Sequence, residues 1–476
     1  MSFSTRRGST LSLISYNSRR IERKMATTDS TREQTNDGPN DQLSPLANQL
    51  SFPGKLPAEI IQHIASYLSA TDLVCLGATC RTLADHASDD LLWANLVNKR
   101  LPTPIRTPGA FGSFRRLYLA YHPYWFIPQH KIWFADNENT GMLIIARYDD
   151  RRGVIEGHTV VAERGTPQFQ MWTSHPEVII QSFEPNVHLS LGGPILSLRD
   201  PDPSSRTAPI QIYYSTEERH MSMASDAQNI YNSLSVCAEF SLRVPWVDPS
   251  LLWPPPTIPA NAHTVRALRI PPPAILNHMS ELSETLFRLR RWATPELMLP
   301  QVCVTFSTLD PVLYTPTTEK PYQGIWVGDY STHGCEFLLV LQKETTVTAH
   351  GDENESQVTD AQDEVEQDNQ EDIGQRGPLQ AVKLTGDHNV PRGQLSFVAE
   401  DIGPRGLIGV GMEEPFVGAR IVRCRGHVAG LGFRDDTYID SQLILISPDH
   451  MAHYWKEMGH VSYYRRVDID ALLHSS

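Results

Sequence analysis

Residues 53–97 carry more apolar faces on short helical segments than so few residues can bury among themselves. Leu56 leads into Pro57, which suits the first turn of a helix: its missing N–H would have no partner there and its φ is already helical. Ile60, Ile61, Ile64 and Leu68 recur at offsets of one, four and eight, which gathers them on one side of a helix ending near Ser69. Ser69 or Thr71 can cap a second helix carrying Leu73, Val74 and Leu76. Cys80, Leu83 and Ala84 continue, and Leu91, Leu92, Trp93 and Leu96 close a three-helix pattern. A segment of roughly 45 residues is too small to bury a self-sufficient core and needs metal, disulfides or a partner. Cys75 and Cys80 lack the spacing of a metal site, which leaves a partner.

At these residues the chain resembles the F-box. Leu56-Pro57-x-Glu59-Ile60-Ile61, Leu68, Asp72-Leu73, Cys80-Arg81 and Leu91-Leu92-Trp93 fall where that family's pattern has them. Gly77-Ala78-Thr79 departs from it, since a bulkier residue is common before Cys80-Arg81. The resemblance implies docking on the Skp-type adaptor of a cullin ubiquitin ligase. Leu56, Pro57, Ile60, Ile64, Leu73, Leu76 and Trp93 are the contact residues it implies, although some must face inward to hold the helices together. The competing expectation is an ordinary helical subdomain packed on the rest of the chain.

Charge bounds the partners. The formal net charge of −14 leaves no basic surplus to neutralise phosphates, which argues against a nucleic-acid partner. Residues 352–372 hold ten acidic and no basic residues, so the remainder carries only −4. That acidic run is expected to be a disordered loop over 350–376. Six cysteines spread over 476 residues do not form a disulfide framework and point to a reducing compartment, the cytoplasm or nucleus. No apolar run approaches membrane-spanning length, so no membrane partner is expected. The first 24 residues are rich in Arg and Ser, the composition of a transit peptide or of an unstructured tail; residues 1–51 are expected to be disordered.

Beyond the module at 52–100, residues 101–130 read as a helical, aromatic linker with a short helix over 113–120. Tyr118, Tyr121, Tyr124, Trp125, Phe126, Trp133 and Phe134 form the densest aromatic cluster, the packing expected at a domain joint. From Lys131 the pattern changes to two-residue alternation, with strands over 142–148, 154–164, 187–198 and 210–214. Short strands at this spacing favour a barrel or sandwich. Residues 245–275 contain too many prolines for a regular element and read as a rigid connector. Leu282, Leu286 and Leu289 lie on one face of an expected amphipathic helix over 275–292. Strand patterns resume over 302–307, 322–330, 335–342, 379–384, 394–399, 419–424 and 442–446. The expected fold class is α+β: a small helical module, then a large antiparallel β-barrel-like domain over 131–470.

The carboxyl-terminal half carries a second resemblance. Gly324-Ile325-Trp326-Val327-Gly328-Asp329-Tyr330, with Ser331-Thr332-His333-Gly334-Cys335-Glu336, precedes Lys383-Leu384-Thr385-Gly386-Asp387-His388-Asn389 and Gly426-His427-Val428-Ala429-Gly430. With the closing Asp449-His450-x-x-His453-x-Trp455 and Tyr463-Tyr464-Arg465-Arg466, these motifs are similar in order to those of the F-box only protein 31 family. The resemblance implies a cyclin-D-binding β-barrel that holds a protein substrate for ubiquitination and degradation. Trp326, Tyr330, His333 and Glu336, with Arg423 and Arg425 as anion partners, are the candidate substrate residues. A barrel mouth with a few convergent polar groups suits a peptide or a chain terminus.

No nucleophile elbow, His-Glu-x-x-His or phosphate loop is present, and no cofactor, metal site or catalytic residue is expected. The expected function is a non-catalytic substrate adaptor. The alternatives are a β-barrel enzyme or small-molecule carrier whose turnover the F-box controls, and a scaffold that binds the adaptor outside a ligase.

Overall fold

The structure, a computed structural model, describes residues 56–137, 139–166, 168–199, 218–221, 231–238, 282–292, 302–343 and 374–474. The expected tail over 1–51, the strand over 210–214, the proline connector and nearly all of the acidic loop lie outside these residues. By internal contacts the chain divides into residues 1–61 and 62–476.

In the first unit the Pro57 carbonyl accepts the Ile60 and Ile61 amides at 3.1 and 3.2 Å, which starts helix α1 (Ala58–Ala65) one residue past the proline. In the second unit Ser69 caps α2 (Ala70–Gly77), its side chain accepting the Asp72 amide at 3.2 Å. Instead of three helices there are four, because the chain breaks again between α3 (Arg81–Ala87) and α4 (Asp90–Asn98), where Asp89 caps the last. Helix α5 (Phe114–Tyr121) follows its Ser113 cap, and α6 (Phe126–His130) extends the aromatic segment.

The first sheet is antiparallel and built around β1 (Ile132–Ala135), β2 (Met142–Asp149) and β3 (Val154–Glu163). Its neighbours in the chain, β4 (Phe169–Met171) and β5 (Ile179–Gln181), instead join the second sheet. The segment expected as one strand over 187–198 is two, β6 (Asn186–Leu189) and β7 (Leu196–Arg199), both paired to β3. Strands β8 (Glu218–Met221), β9 (Tyr231–Ala238), β10 (Leu282–Trp292) and β11 (Val302–Ser307) complete it, with β11 against β1.

Strand β10 corrects the expected helix over 275–292. Its Leu282, Leu286 and Leu289 do have helical spacing, but β9 and β11 supply ladder partners on both sides, and Phe287 stacks on its register partner Phe306 at 5.1 Å. A helix could bury one stripe there, whereas the strand buries Leu286, Phe287 and Leu289 together.

After helix α7 (Pro311–Tyr314), eight strands close a second, antiparallel sheet into a barrel. They run in spatial order β12 (Gly324–Asp329), β13 (Cys335–Gln342), β14 (Leu379–Lys383) and β15 (Leu395–Ala399). Past β16 (Leu407–Val410), which pairs with β17 alone, come β17 (Arg420–Gly430), β18 (Arg434–Ser447), β19 (His450–Trp455) and β20 (His460–Arg466). Pairing of β20 with β12 closes the ring. Helix α8 (Ile469–Leu473) ends the described chain.

Alternation assigns each strand two environments. In the first sheet Trp133, Ala135, Ile144 and Ala146 pack with Trp93, Leu117, Tyr121 and Trp125 of the helices. Their neighbours Ile132, Phe134, Leu143 and Ile145 pack with Ile325, Val327, Phe337 and Leu339 on the barrel's outer wall. The barrel interior is filled by Trp326, Leu338, Val340, Phe397, Val422 and Leu443 among others. The aromatic cluster is therefore core: the indole N–H groups of Trp125 and Trp133 donate to the Tyr118 and Ile127 carbonyls at 2.9 Å each.

Gly426 marks a tight point of the barrel interior, since a Cβ there would lie 2.1 Å from the Trp455 ring. Gly426→Ala should lower stability by about 1–3 kcal/mol through overpacking, read as a shifted urea midpoint. Gly192→Ala, with nothing within 4 Å, should leave it unchanged.

Candidate functional site at the barrel mouth

Two regions of the second unit present chemistry: the helices that precede the first sheet, and one end of the barrel. In the helices, Leu73 and Trp93 are each 1% exposed. The Trp93 indole donates to the Ala87 carbonyl at 2.8 Å and its ring meets Tyr118 edge-on at 5.5 Å, so these two candidates hold the module to the core. Leu76 is half-buried; in the first unit Leu56 is half-buried, Pro57 is exposed and Ile60 is 45% exposed. Ile64 is 50% exposed, and the contact candidates missed two more exposed residues with apolar side chains, Tyr67 at 76% and Leu91 at 73%.

At the barrel end, β12 and β13 are joined by a tight connection, Tyr330 to Gly334, in which Ser331 adopts φ +55°. Arg164, past the end of β3, pins this connection by pairing with Asp329 and donating to the Ser331 carbonyl at 2.7 Å. Glu336 points into the barrel because it precedes inward Leu338 by two residues, and Lys383 points in beside it as the register partner of Leu338. The Lys383 ammonium lies 2.7 Å from Glu336 Oε2 and 3.1 Å from Asp387 Oδ2. It also sits 4.5 Å from the centre of the Tyr330 ring, whose hydroxyl bonds Ser396. Asp387 is held by the Val390 amide at 2.9 Å and by that of Asn389, and His333 stands at the rim with Nδ1 3.8 Å from Asp387.

Burial raises the Glu336 pKa to about 8; Lys383 opposes this and Asp387 adds to it. Asp387 is also penalised by burial, but Lys383, Glu336 and the backbone amides more than offset that and hold its pKa below the usual carboxylate value. The mouth thus gathers Glu336, which holds its proton more tightly than an ordinary carboxyl, with Lys383 and Asp387 in one buried cluster. His453, fully buried, shares a hydrogen bond between its Nε2 and Ser441 Oγ at 2.7 Å, and burial lowers its pKa to about 3. Among the described residues no group of His, Cys, Asp and Glu is arranged to hold a metal ion.

The structure brings together three of the six substrate candidates, Tyr330, His333 and Glu336. Trp326 is a core residue whose indole donates to the Tyr322 carbonyl at 3.0 Å. Arg423 and Arg425 alternate with inward Val422 and Cys424, so they project from the outer wall and are not part of the mouth. Lys383 and Asp387 were the missed members; their signal was the spacing within Lys383-Leu384-Thr385-Gly386-Asp387, which places a cation and a carboxylate at the end of one strand.

The architecture is that of a helical module ahead of a closed β-barrel. Residues 54–99 match the F-box-like family, and residues 306–471 match the Cyclin D1 binding domain. The chain therefore carries an F-box plus a cyclin-D-binding-type β domain. Protein EXECUTER 2, chloroplastic, from Arabidopsis thaliana is 27% identical over 146 residues, which is 30% of this chain and 20% of that protein.

Because the folded pKa of Glu336 lies above its ordinary value of 4.5, the folded state binds the extra proton between about 4.5 and about 8. The contribution is fully present below that window and is lost as pH rises through it. Glu336→Gln, which keeps the hydrogen-bonding shape without ionising, should flatten the fall in melting temperature over this range. An unchanged pH profile would remove Glu336 as its source.

Proposed function

We propose that this chain is the substrate-recognition subunit of an SCF-type cullin ubiquitin ligase, acting in the cytoplasm or nucleus. Its helices dock on a Skp-type adaptor and through it on the cullin, while the barrel holds a protein substrate for ubiquitination and proteasomal degradation. The observation that carries this reading is that Ile64, Tyr67 and Leu91 stay in water although Leu73 and Trp93 of the same module are buried in the core. Apolar side chains left over after a module has found its own core are what a partner covers.

The chain contributes proximity to the reaction. A substrate lysine held near a ubiquitin-charged conjugating enzyme reacts as if within one molecule, so the gain lies in effective concentration. The substrate end of the task falls to the mouth, where a peptide or chain terminus can exchange hydrogen bonds with Glu336, Lys383, Asp387 and His333. No step in this scheme needs a nucleophile or a metal from the chain.

Ile64→Asp combined with Tyr67→Asp should reduce adaptor and cullin recovered in a pull-down by at least about tenfold, consistent with loss of central apolar contacts, with the melting temperature unchanged. Trp93→Ala should instead cost about 3–5 kcal/mol of stability, because it empties a core site. Equal adaptor recovery by the doubly charged variant and the wild type would overturn the adaptor reading. A metabolite or activity retained by protein purified without adaptor would favour an enzyme or carrier.

A further inference from the structure

Arg423 and Arg425 project into a groove of about 820 Å³ on the barrel's outer wall, between the end of β15, strand β16 and the outward residues of β17 and β18. Four cations line it, Arg405, Arg423, Arg425 and Lys456, against three carboxylates, Glu400, Asp401 and Asp440. Arg425 is paired with Glu400 at 2.8 Å, and Arg405 lies 3.6 Å from Asp401. The Arg423 guanidinium donates to the Arg405 carbonyl at 3.4 Å, and among the described residues no carboxylate lies within ion-pair distance of it or of Lys456. Arg423, Lys456 and the carboxylate Asp440 are thus left without an ion-pair partner among the described residues.

The floor of the groove ends at an unusual strand. Among the described residues β16 has a ladder with β17 only; the Leu407 amide donates to the Gly403 carbonyl at 3.0 Å, and past it the other edge has no strand partner. Ile408, Val410 and Met412, at two-residue spacing, are all exposed. A bare edge with an apolar row is an adhesive surface that proteins ordinarily blunt with charge. Here the charge stands across the groove, with one more cation than carboxylates.

We propose that this groove is a second polypeptide-binding site, separate from the mouth, which takes an extended segment carrying acidic or phosphorylated side chains. The segment adds to the free edge of β16, sets its apolar residues against Ile408 and Val410, and places its anions on Arg423 and Lys456. Strand addition supplies affinity without regard to sequence, and the two cations select for negative charge. A substrate held at both mouth and wall gains from effective concentration, which helps a receptor hold its target through repeated ubiquitin transfers.

The test uses the full chain and a fluorescent peptide of alternating valine and glutamate, with a valine–lysine peptide and a backbone N-methylated copy for comparison. The glutamate peptide should bind, and more weakly as salt rises. The lysine and methylated peptides should not. Arg423→Glu with Lys456→Glu, both at the surface, should weaken binding about tenfold, whereas His333→Ala at the mouth should leave it unchanged. Equal affinity of the double variant, or loss of binding on His333→Ala, would place the peptide elsewhere and overturn the proposal. Undiminished binding of the methylated peptide would overturn strand addition. Binding that appears only after residues 352–372 are replaced by a neutral linker would show that the chain's own acidic run fills the groove, and self-association lost in the double variant would assign it to a second copy; either outcome overturns a partner as its occupant.

Discussion

The first sheet is buried on both faces, and the second unit depends on that constraint. A strand can serve two cores only if consecutive side chains belong to different layers, and β1 does so residue by residue. Ile132 and Phe134 face the barrel wall, and Trp133 and Ala135 face the helices. A slip of one residue would exchange the two sets and disrupt both cores. The same alternation on β13 sends Phe337 and Leu339 outward to this sheet and Leu338 and Val340 into the barrel. Helices, sheet and barrel are thereby joined through apolar side chains at each step, and polar contacts such as Arg392 to the Asp136 and Asn137 carbonyls fasten the rims.

Against that background the polar groups at the barrel mouth stand out. Burying an ammonium and two carboxyls is costly, and the cost falls only when the charges are paired and hydrogen-bonded. The mouth lowers this cost by pairing Lys383 with both Glu336 and Asp387 and by raising the proton affinity of Glu336. An aliphatic layer would have closed the barrel end at lower cost. A retained polar cluster with perturbed carboxyls at the end of a barrel is the kind of arrangement found where proteins recognise something else. Arg164 ties the rim connection to the end of β3, so the position of His333 depends on the first sheet as well as on the barrel.

The helical module combines two demands that its sequence does not separate. Leu73 and Leu91 read alike in a list of apolar positions, yet one is buried and the other lies in water. The difference comes from α5 and the aromatic segment behind it, which cover the Leu92 and Trp93 side of α4 and leave Leu91 uncovered. Tyr67 escaped notice for a related reason: an aromatic at the end of a helix is an ordinary core residue until the packing shows that nothing covers it.

By itself the sequence determined the parts whose cause is local. Pro57 and the Ser69 cap set the helix starts, two-residue alternation set most strands, and the ordered motifs after Gly324 marked the barrel. The tertiary structure decided whatever depends on neighbours remote in the chain. Residues 282–292 became a strand because β9 and β11 could complete its hydrogen bonds, outweighing a helical spacing of leucines. Arg423 left the group of Tyr330, His333 and Glu336 because barrel closure turns alternate residues of β17 outward, and Lys383 joined it because register sets it beside Glu336. Periodicity states which side chains share a face of one element; only packing and register state what that face meets.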